Sequence, residues 1–293
     1  MPASPFLDRL HAGKPLVLDG ATGTNLQARG LPVGSPSDLW VLDCPDEILR
    51  LQRDFLQAGS DIILTDTFGS SKLHLGHAGL AGRFEETNRA AVALAKQAAA
   101  EFGGLVGGSL GPLGEMLEPL GPLTAEAAEA EYGAQARLLA EAGVDLLVIE
   151  TQFDLNEASA ALRGVRGVTD LPIVVSFSYD RGTRSMMGVK PRQTAAAFNE
   201  AGLAALGVNC GRSLEDNLAV LKELRAATTL PIWFKPNAGL PQTDAEGRTV
   251  FSTTPEDMGS AAANWLEAGA GLVGGCCGTS PQHLAAIARA IKA

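Results

Sequence analysis

Four times in this chain a helix-like, alanine- and glutamate-rich segment ends in glycine and runs directly into a continuous apolar stretch. Ala58-Gly59-Ser60-Asp61 precedes Ile62-Ile63-Leu64, and Ala142-Gly143-Val144-Asp145 precedes Leu146-Leu147-Val148-Ile149. Ala201-Gly202 precedes Leu203-Ala204-Ala205-Leu206-Gly207-Val208, and Ala268-Gly269-Ala270-Gly271 precedes Leu272-Val273. Glycine just past a helix end takes the left-handed conformation without steric penalty. A strand that is apolar on both faces is what a parallel sheet buried between layers requires. The repeating unit is therefore helix, glycine, buried strand.

The same pattern predicts eight strand–helix pairs, with strands near residues 16–19, 62–67, 105–110, 146–151, 173–179, 206–210, 232–236 and 272–276. Helical segments include 45–58, 85–102, 124–142 and 280–292, several opened by a capping residue or proline: Pro45 with Asp46 and Glu47, Thr254 before Pro255, Ser280 before Pro281. Alternating strands and helices imply a parallel sheet. Eight units in 293 residues lie close to the roughly 250 of an eight-fold barrel. The expectation is an α/β fold, a single-domain (β/α)8 TIM barrel over residues 1–293, with an open doubly wound sheet as the alternative. Such barrels carry their active sites at the C-terminal ends of the strands. The polar residues at those ends are Asp19, Asp66, Thr67, Ser109, Glu150, Thr151, Asn209, Cys210, Asn237, Cys276 and Cys277.

The formal net charge of -10 argues against nucleic acid or an anionic membrane as the main partner, since both need a basic patch. Four cysteines in so long a chain are not a secreted disulfide framework. The first eight residues lack the basic segment and apolar run of a signal peptide, and no apolar run approaches the roughly 20 residues of a membrane span. A soluble, cytoplasmic protein with reduced thiols is expected.

Those thiols are the chemically loaded part of the chain. Cys210 ends one apolar run, and Cys276 and Cys277 end another inside Gly274-Gly275-Cys276-Cys277-Gly278. Three converging thiolates suggest zinc with an open fourth position, the arrangement of a catalytic site. Asn209 and Asn237 are weak alternatives for that position. Adjacent strand residues point to opposite faces, so Cys276 and Cys277 can share a metal only where the strand has ended. The glycines on both sides allow this. Inert buried cysteines, or a redox pair of Cys210 with Cys276 or Cys277, are the other readings. Three thiolates leave zinc a poor Lewis acid for water but able to hold an incoming thiol deprotonated. Activation of a thiol substrate is therefore favoured over hydrolysis.

Asp19-Gly20-Ala21-Thr22-Gly23-Thr24 follows the first strand. It is neither a dinucleotide fingerprint nor a P-loop, but a small-residue turn can aim backbone N–H groups at an anion. Read otherwise it is a simple tight loop. Glu150 ends an apolar strand, and a buried acid there needs a cation partner. An anion-binding turn, a carboxylate and a thiol-activating metal together suit a thiol-bearing amino acid: its carboxylate on the turn, its ammonium on Glu150, its sulfur on zinc. Phe68 either walls the mouth or packs. His11 and His283 read as surface helix residues, and Lys235 receives no role.

The chain resembles the homocysteine S-methyltransferase family over nearly its whole length. The matching phrases are Asp19 through Thr24, Thr65-Asp66-Thr67-Phe68-Gly69, Ser109-Leu110-Gly111-Pro112, Ile149-Glu150-Thr151, Gly207-Val208-Asn209-Cys210, Pro236-Asn237-Ala238-Gly239 and Gly274 through Thr279. The resemblance implies a barrel in which Cys210, Cys276 and Cys277 hold Zn2+, homocysteine takes the open position, and Asn237 fills it when substrate is absent. It also implies substrate contacts from Asp19, Gly20, Ala21, Thr22, Thr67, Phe68, Ser109, Glu150, Asn209 and Asn237. Thr67-Phe68-Gly69 and Pro236 through Pro241 are most similar to the homocysteine domain of cobalamin-dependent methionine synthase, whereas betaine-dependent members tend to carry an aromatic where Gly69 stands. That likeness implies methylcobalamin as donor, ultimately charged by methyltetrahydrofolate, on cobalamin-carrying and folate-binding modules in the same or a partner polypeptide. Those modules are missing from this sequence, which reads either as an excised domain or as a free-standing enzyme or subunit. Direct use of S-methylmethionine or betaine is therefore the alternative, although only two tyrosines offer a poor sulfonium cage. A zinc-stabilised binding module without catalysis is the alternative from another class.

Overall fold

The computed structural model describes residues 4–244 and 249–292. At the four junctions noted above, Gly59, Gly143, Gly202 and Gly269 have φ of 109°, 92°, 67° and 98°. Each helix thus ends in a left-handed residue, and the chain drops into the next strand.

Eight of those strands form one parallel sheet: β1 (Leu16–Val17), β2 (Ile62–Leu64), β3 (Leu105–Leu110), β4 (Leu146–Gln152), β5 (Ile173–Phe177), β6 (Ala205–Cys210), β7 (Ile232–Pro236) and β10 (Leu272–Val273). Their order is β1-β10-β7-β6-β5-β4-β3-β2, and a bridge between Leu18 and Ile62 closes the ends into a barrel. This is the expected single-domain (β/α)8 barrel. A short antiparallel hairpin, β8 (Pro241–Thr243) with β9 (Thr249–Phe251), stands apart from it after β7.

The continuous apolar runs serve two cores at once, because successive strand residues face opposite ways. Leu16 and Leu18, Ile62 and Leu64, Leu105, Leu146 and Val148, Val174, Ala205, Trp233 and Leu272 fill the lumen. Val17, Ile63, Leu147, Ile149, Val175, Leu206 and Val273 pack outward under the helices. Phe6, from the helix Pro5–His11, joins the lumen cluster where the strands begin.

The capping signals hold. Thr124 caps Ala125–Ala142, and Thr254 forms a reciprocal capping box with Asp257 on Pro255–Glu267. At Pro281–Ile291 the reciprocal partner of Ser280 is His283. This corrects the surface reading of His283: its ring is buried, with Nδ1 against Ser280 and Nε2 against the Thr253 carbonyl at 3.0 Å. No helix among the described residues is long and apolar enough to cross a membrane.

Candidate active site

At the C-terminal ends of the strands lies a cavity of about 450 Å³, lined by Asp19 through Thr24, Asp66, Phe68, Ser109, Glu150, Thr151, Cys210, Lys235, Cys276 and Cys277 among others. Three adjacent strand ends bring the thiols together. Cys210 closes β6 opposite Pro236 of β7, and the Cys276 N–H donates to the Pro236 carbonyl at 2.9 Å. The strand β10 stops at Val273, short of the expected 276. Thr279 then folds the chain over, its N–H and hydroxyl donating to the Cys276 carbonyl at 3.0 and 2.6 Å. Gly278 takes φ 81°, which a turn of this kind requires. The two neighbouring cysteines therefore escape strand alternation and face one point.

The three Sγ atoms all lie within 4.8 Å of one another. Thiolates on one tetrahedral zinc, with bonds of ~2.3 Å, sit about 3.8 Å apart. The donor set and its spacing fit that ion. Packed together, the thiols hold their protons unequally. Hydrogen bonds from Cys210 and Cys276 pull the Cys277 thiol down, and contact with Cys276 and Cys277 pushes Cys210 up. Asn237 adds a second indication. Its Nδ2 donates to the Gly211 carbonyl at 2.8 Å, but its Oδ1 is buried with no hydrogen-bond partner among the described residues.

Beside the thiols lies a compact charge cluster. Lys235 Nζ is 2.5 Å from Asp19 Oδ1, both side chains being buried. Asp19 Oδ2 accepts from the Leu64 N–H at 2.7 Å. Asp19 thus ties β1, β2 and β7 together while lining the cavity. Burial works against the Lys235 ammonium, yet the charges of Asp19, Glu150 and Cys276 raise it above the usual lysine range. Glu150 accepts from Ser109 Oγ at 2.5 Å, and burial pushes its carboxyl up to about 7 against the opposing pull of Lys235. Asp66 accepts from Ser37 Oγ at 2.7 Å, and burial, then the charge of Asp38, raises it well above its ordinary range.

The other expected residues divide in two. Gly20, Ala21, Thr22, Phe68 and Ser109 line the cavity. Ala21 gives its N–H to Thr279, and no side chain caps the helix Thr22–Ala28 that follows. Thr67 and Asn209 are fully buried and lie behind the cavity wall. Thr67 donates its hydroxyl to the Ser109 carbonyl at 2.7 Å and so braces β3. Asn209 bonds to Thr151, Ser176 and the sulfurs of Cys210 and Cys276. Lys235 is the residue the sequence reading passed over. Its signal was there: two places beyond the lumen residue Trp233, it points inward at the level of the mouth.

The model of the homocysteine S-methyltransferase family matches residues 16–291. Methionine synthase of Mycobacterium tuberculosis is 29% identical over 94% of this chain, and that of Mycobacterium leprae is 28% identical over 96%. In each case the match spans 24% of the relative, so the chain covers about a quarter of their length. Among solved structures, the metallated form of the homocysteine methyltransferase MmuM from Escherichia coli superposes with a TM-score of 0.82. It is 26% identical, with 96% of this chain and 98% of that chain covered.

Proposed function

The chain belongs to the homocysteine S-methyltransferase family, and from that premise we propose that it transfers a methyl group to the thiol of homocysteine, giving methionine. The observation that carries the reading is the convergence of three thiols at a mouth that also holds Glu150 and Lys235. Cys210, Cys276 and Cys277 would hold zinc, with the orphaned Oδ1 of Asn237 as a fourth donor in the absence of substrate. Bound there, zinc supplies the charge that keeps a substrate thiol deprotonated yet nucleophilic.

The chain's own groups do the rest. Glu150, steadied by Ser109, takes the amino acid's ammonium. The turn 20–23 takes its carboxylate, aided by the positive charge of Lys235. Phe68, half exposed at the rim, faces the donor side. No general base on the protein would be needed, since the thiol proton would pass to solvent when the sulfur is held as thiolate.

Methylcobalamin on a module outside these residues is the donor we favour, because the curated relatives are methionine synthases several times longer than this chain. A second reading, direct use of S-methylmethionine or betaine, is favoured by the match to 98% of the MmuM chain, a methyltransferase of similar length. Zinc-loaded protein is incubated with homocysteine and each donor in turn, and methionine is measured. Turnover with free methylcobalamin supports the first reading, and turnover with either onium compound the second. No methionine from any donor, with an unchanged zinc-edge X-ray absorption spectrum on adding homocysteine, would leave only a metal-stabilised binding module.

A further inference from the structure

Among the described residues, two non-glycine positions have left-handed backbone: Thr151 at φ 59° and Cys210 at φ 60°. Threonine is branched at Cβ and rarely found there. Such strain persists only where the surroundings over-determine it. The two residues lie near the ends of β4 and β6, with β5 between them, and one side chain reaches both. Asn209, fully buried, accepts at Oδ1 from the Thr151 N–H at 2.9 Å and from Ser176 Oγ of β5 at 2.7 Å. Its Nδ2 donates to Thr151 Oγ1 at 2.7 Å. The orientation of the amide is not arbitrary, because a backbone N–H can only donate and so must face the carbonyl oxygen. The amide NH2 is thereby turned toward the sulfurs, 3.6 Å from Cys210 Sγ and 3.9 Å from Cys276 Sγ.

We propose that Asn209 is a positioning residue of the metal centre. It holds Thr151 in its strained conformation, and it donates N–H···S hydrogen bonds to two of the three sulfurs. The first action anchors the amide on β4 and β5, so that its NH2 stays aimed at Cys210 Sγ. The second stabilises the negative charge that three crowded sulfurs carry when they hold a cation. Partners that orient ligands in this way typically contribute 10–100-fold to metal affinity. Gly207 makes the arrangement possible, since a Cβ there would lie 2.8 Å from Ser176 Oγ. The inference rests on reading the three cysteines as a zinc site.

Asn209→Asp separates the two actions. A carboxylate still accepts from the Thr151 N–H and Ser176, and Thr151 Oγ1 can turn to donate, so the backbone clamp survives while the N–H···S donor is lost. Ser176→Ala loosens the amide without removing it. Metal-free wild type and both variants are titrated with zinc against a chelator, and separately with cobalt(II) while the sulfur-to-cobalt charge-transfer band is recorded. Asn209→Asp is expected to bind zinc roughly 10–100-fold more weakly, with the band at longer wavelength. Ser176→Ala should shift both in the same direction by less. Wild-type affinity and an unchanged band in both variants would reduce Asn209 to a packing residue. If Asn209→Asp does not fold, the Ser176→Ala result decides by the same criteria. Wild type that binds neither metal would instead overturn the zinc reading, and this inference with it.

Discussion

Glu150 and Lys235 share a buried pocket with Asp19, and burial and neighbouring charge set both. Burial raises the Glu150 carboxyl to about 7, above its ordinary value, so the folded protein binds this proton more tightly than the unfolded chain. Its contribution to stability is intact at low pH and is lost as pH rises through about 7. Glu150→Gln keeps the acceptor for Ser109 and removes the charge. Metal-free protein carrying it should gain ~1–3 kcal/mol at pH 8 and almost nothing at pH 5 in urea unfolding. The same variant should lose homocysteine affinity most where wild-type Glu150 is ionised, so the wild-type advantage narrows from pH 8 to pH 6. A pH-independent ratio would remove Glu150 from the ammonium site. Lys235 presents the opposite case, a buried cation already paired. Lys235→Met strands the Asp19 carboxylate and should cost roughly 3–5 kcal/mol, whereas adding Asp19→Asn should recover much of it. Simple additivity in that double-variant cycle would mean the pair is not coupled. The sequence announced the cysteines and Glu150 because each ends an apolar run, where polarity is conspicuous. It gave no comparable sign that the Asn209 amide is tied to Thr151 and Ser176. Strand alternation says which wall a residue joins, but not whether its amide meets substrate or protein.

Element boundaries were legible at helix ends, where glycine and capping residues act locally, and less so at the mouth. Strands expected to run to 19, 67 and 276 end as ladders at Val17, Leu64 and Val273. The backbone there still bonds, through Leu18 N–H to Val273 and Gly274 N–H to Phe234, but it splays as the barrel opens. That early ending lets Cys276 and Cys277 face one point. The hairpin β8–β9 gave no signal, since Pro241-Gln242-Thr243 is exposed and does not alternate. It nevertheless reaches the cysteine turn: a Cβ on Gly278 would run into the Phe251 ring. Gly278→Ala therefore meets both left-handed strain of ~1–2 kcal/mol and a ring that must move. Gly188→Ala, at φ 79° with nothing within 4 Å, meets only the strain. Zinc retained after dialysis should fall well below one equivalent in the first variant and stay near one in the second. Equal retention would show that the turn does not aim Cys277.

The whole barrel separates stability from chemistry along its axis. The lumen layers nearest the strand N-termini are wholly apolar, and Phe6 closes them from outside the sheet. The thiols, Glu150 and Lys235 lie at the opposite end, where the lumen residues turn polar. The repeating helix–glycine–strand unit made this architecture readable, but not its plug, because a seven-residue helix before the first strand belongs to no repeat. Phe6→Ala should cost about 3–5 kcal/mol, the usual penalty for emptying a buried aromatic site. The loss should appear in denaturant unfolding. Zinc stoichiometry and the cobalt charge-transfer band should not change, since between Phe6 and the sulfurs stand Leu18, Leu64, Val148, Val174 and the Trp233 ring, all packed in the lumen. If that filling is rigid, a cavity at one end lowers the free energy of the fold without moving ligands at the other. A shifted cobalt band in Phe6→Ala would show instead that the lumen transmits strain from end to end, and the two ends of this barrel would then have to be treated as one coupled unit.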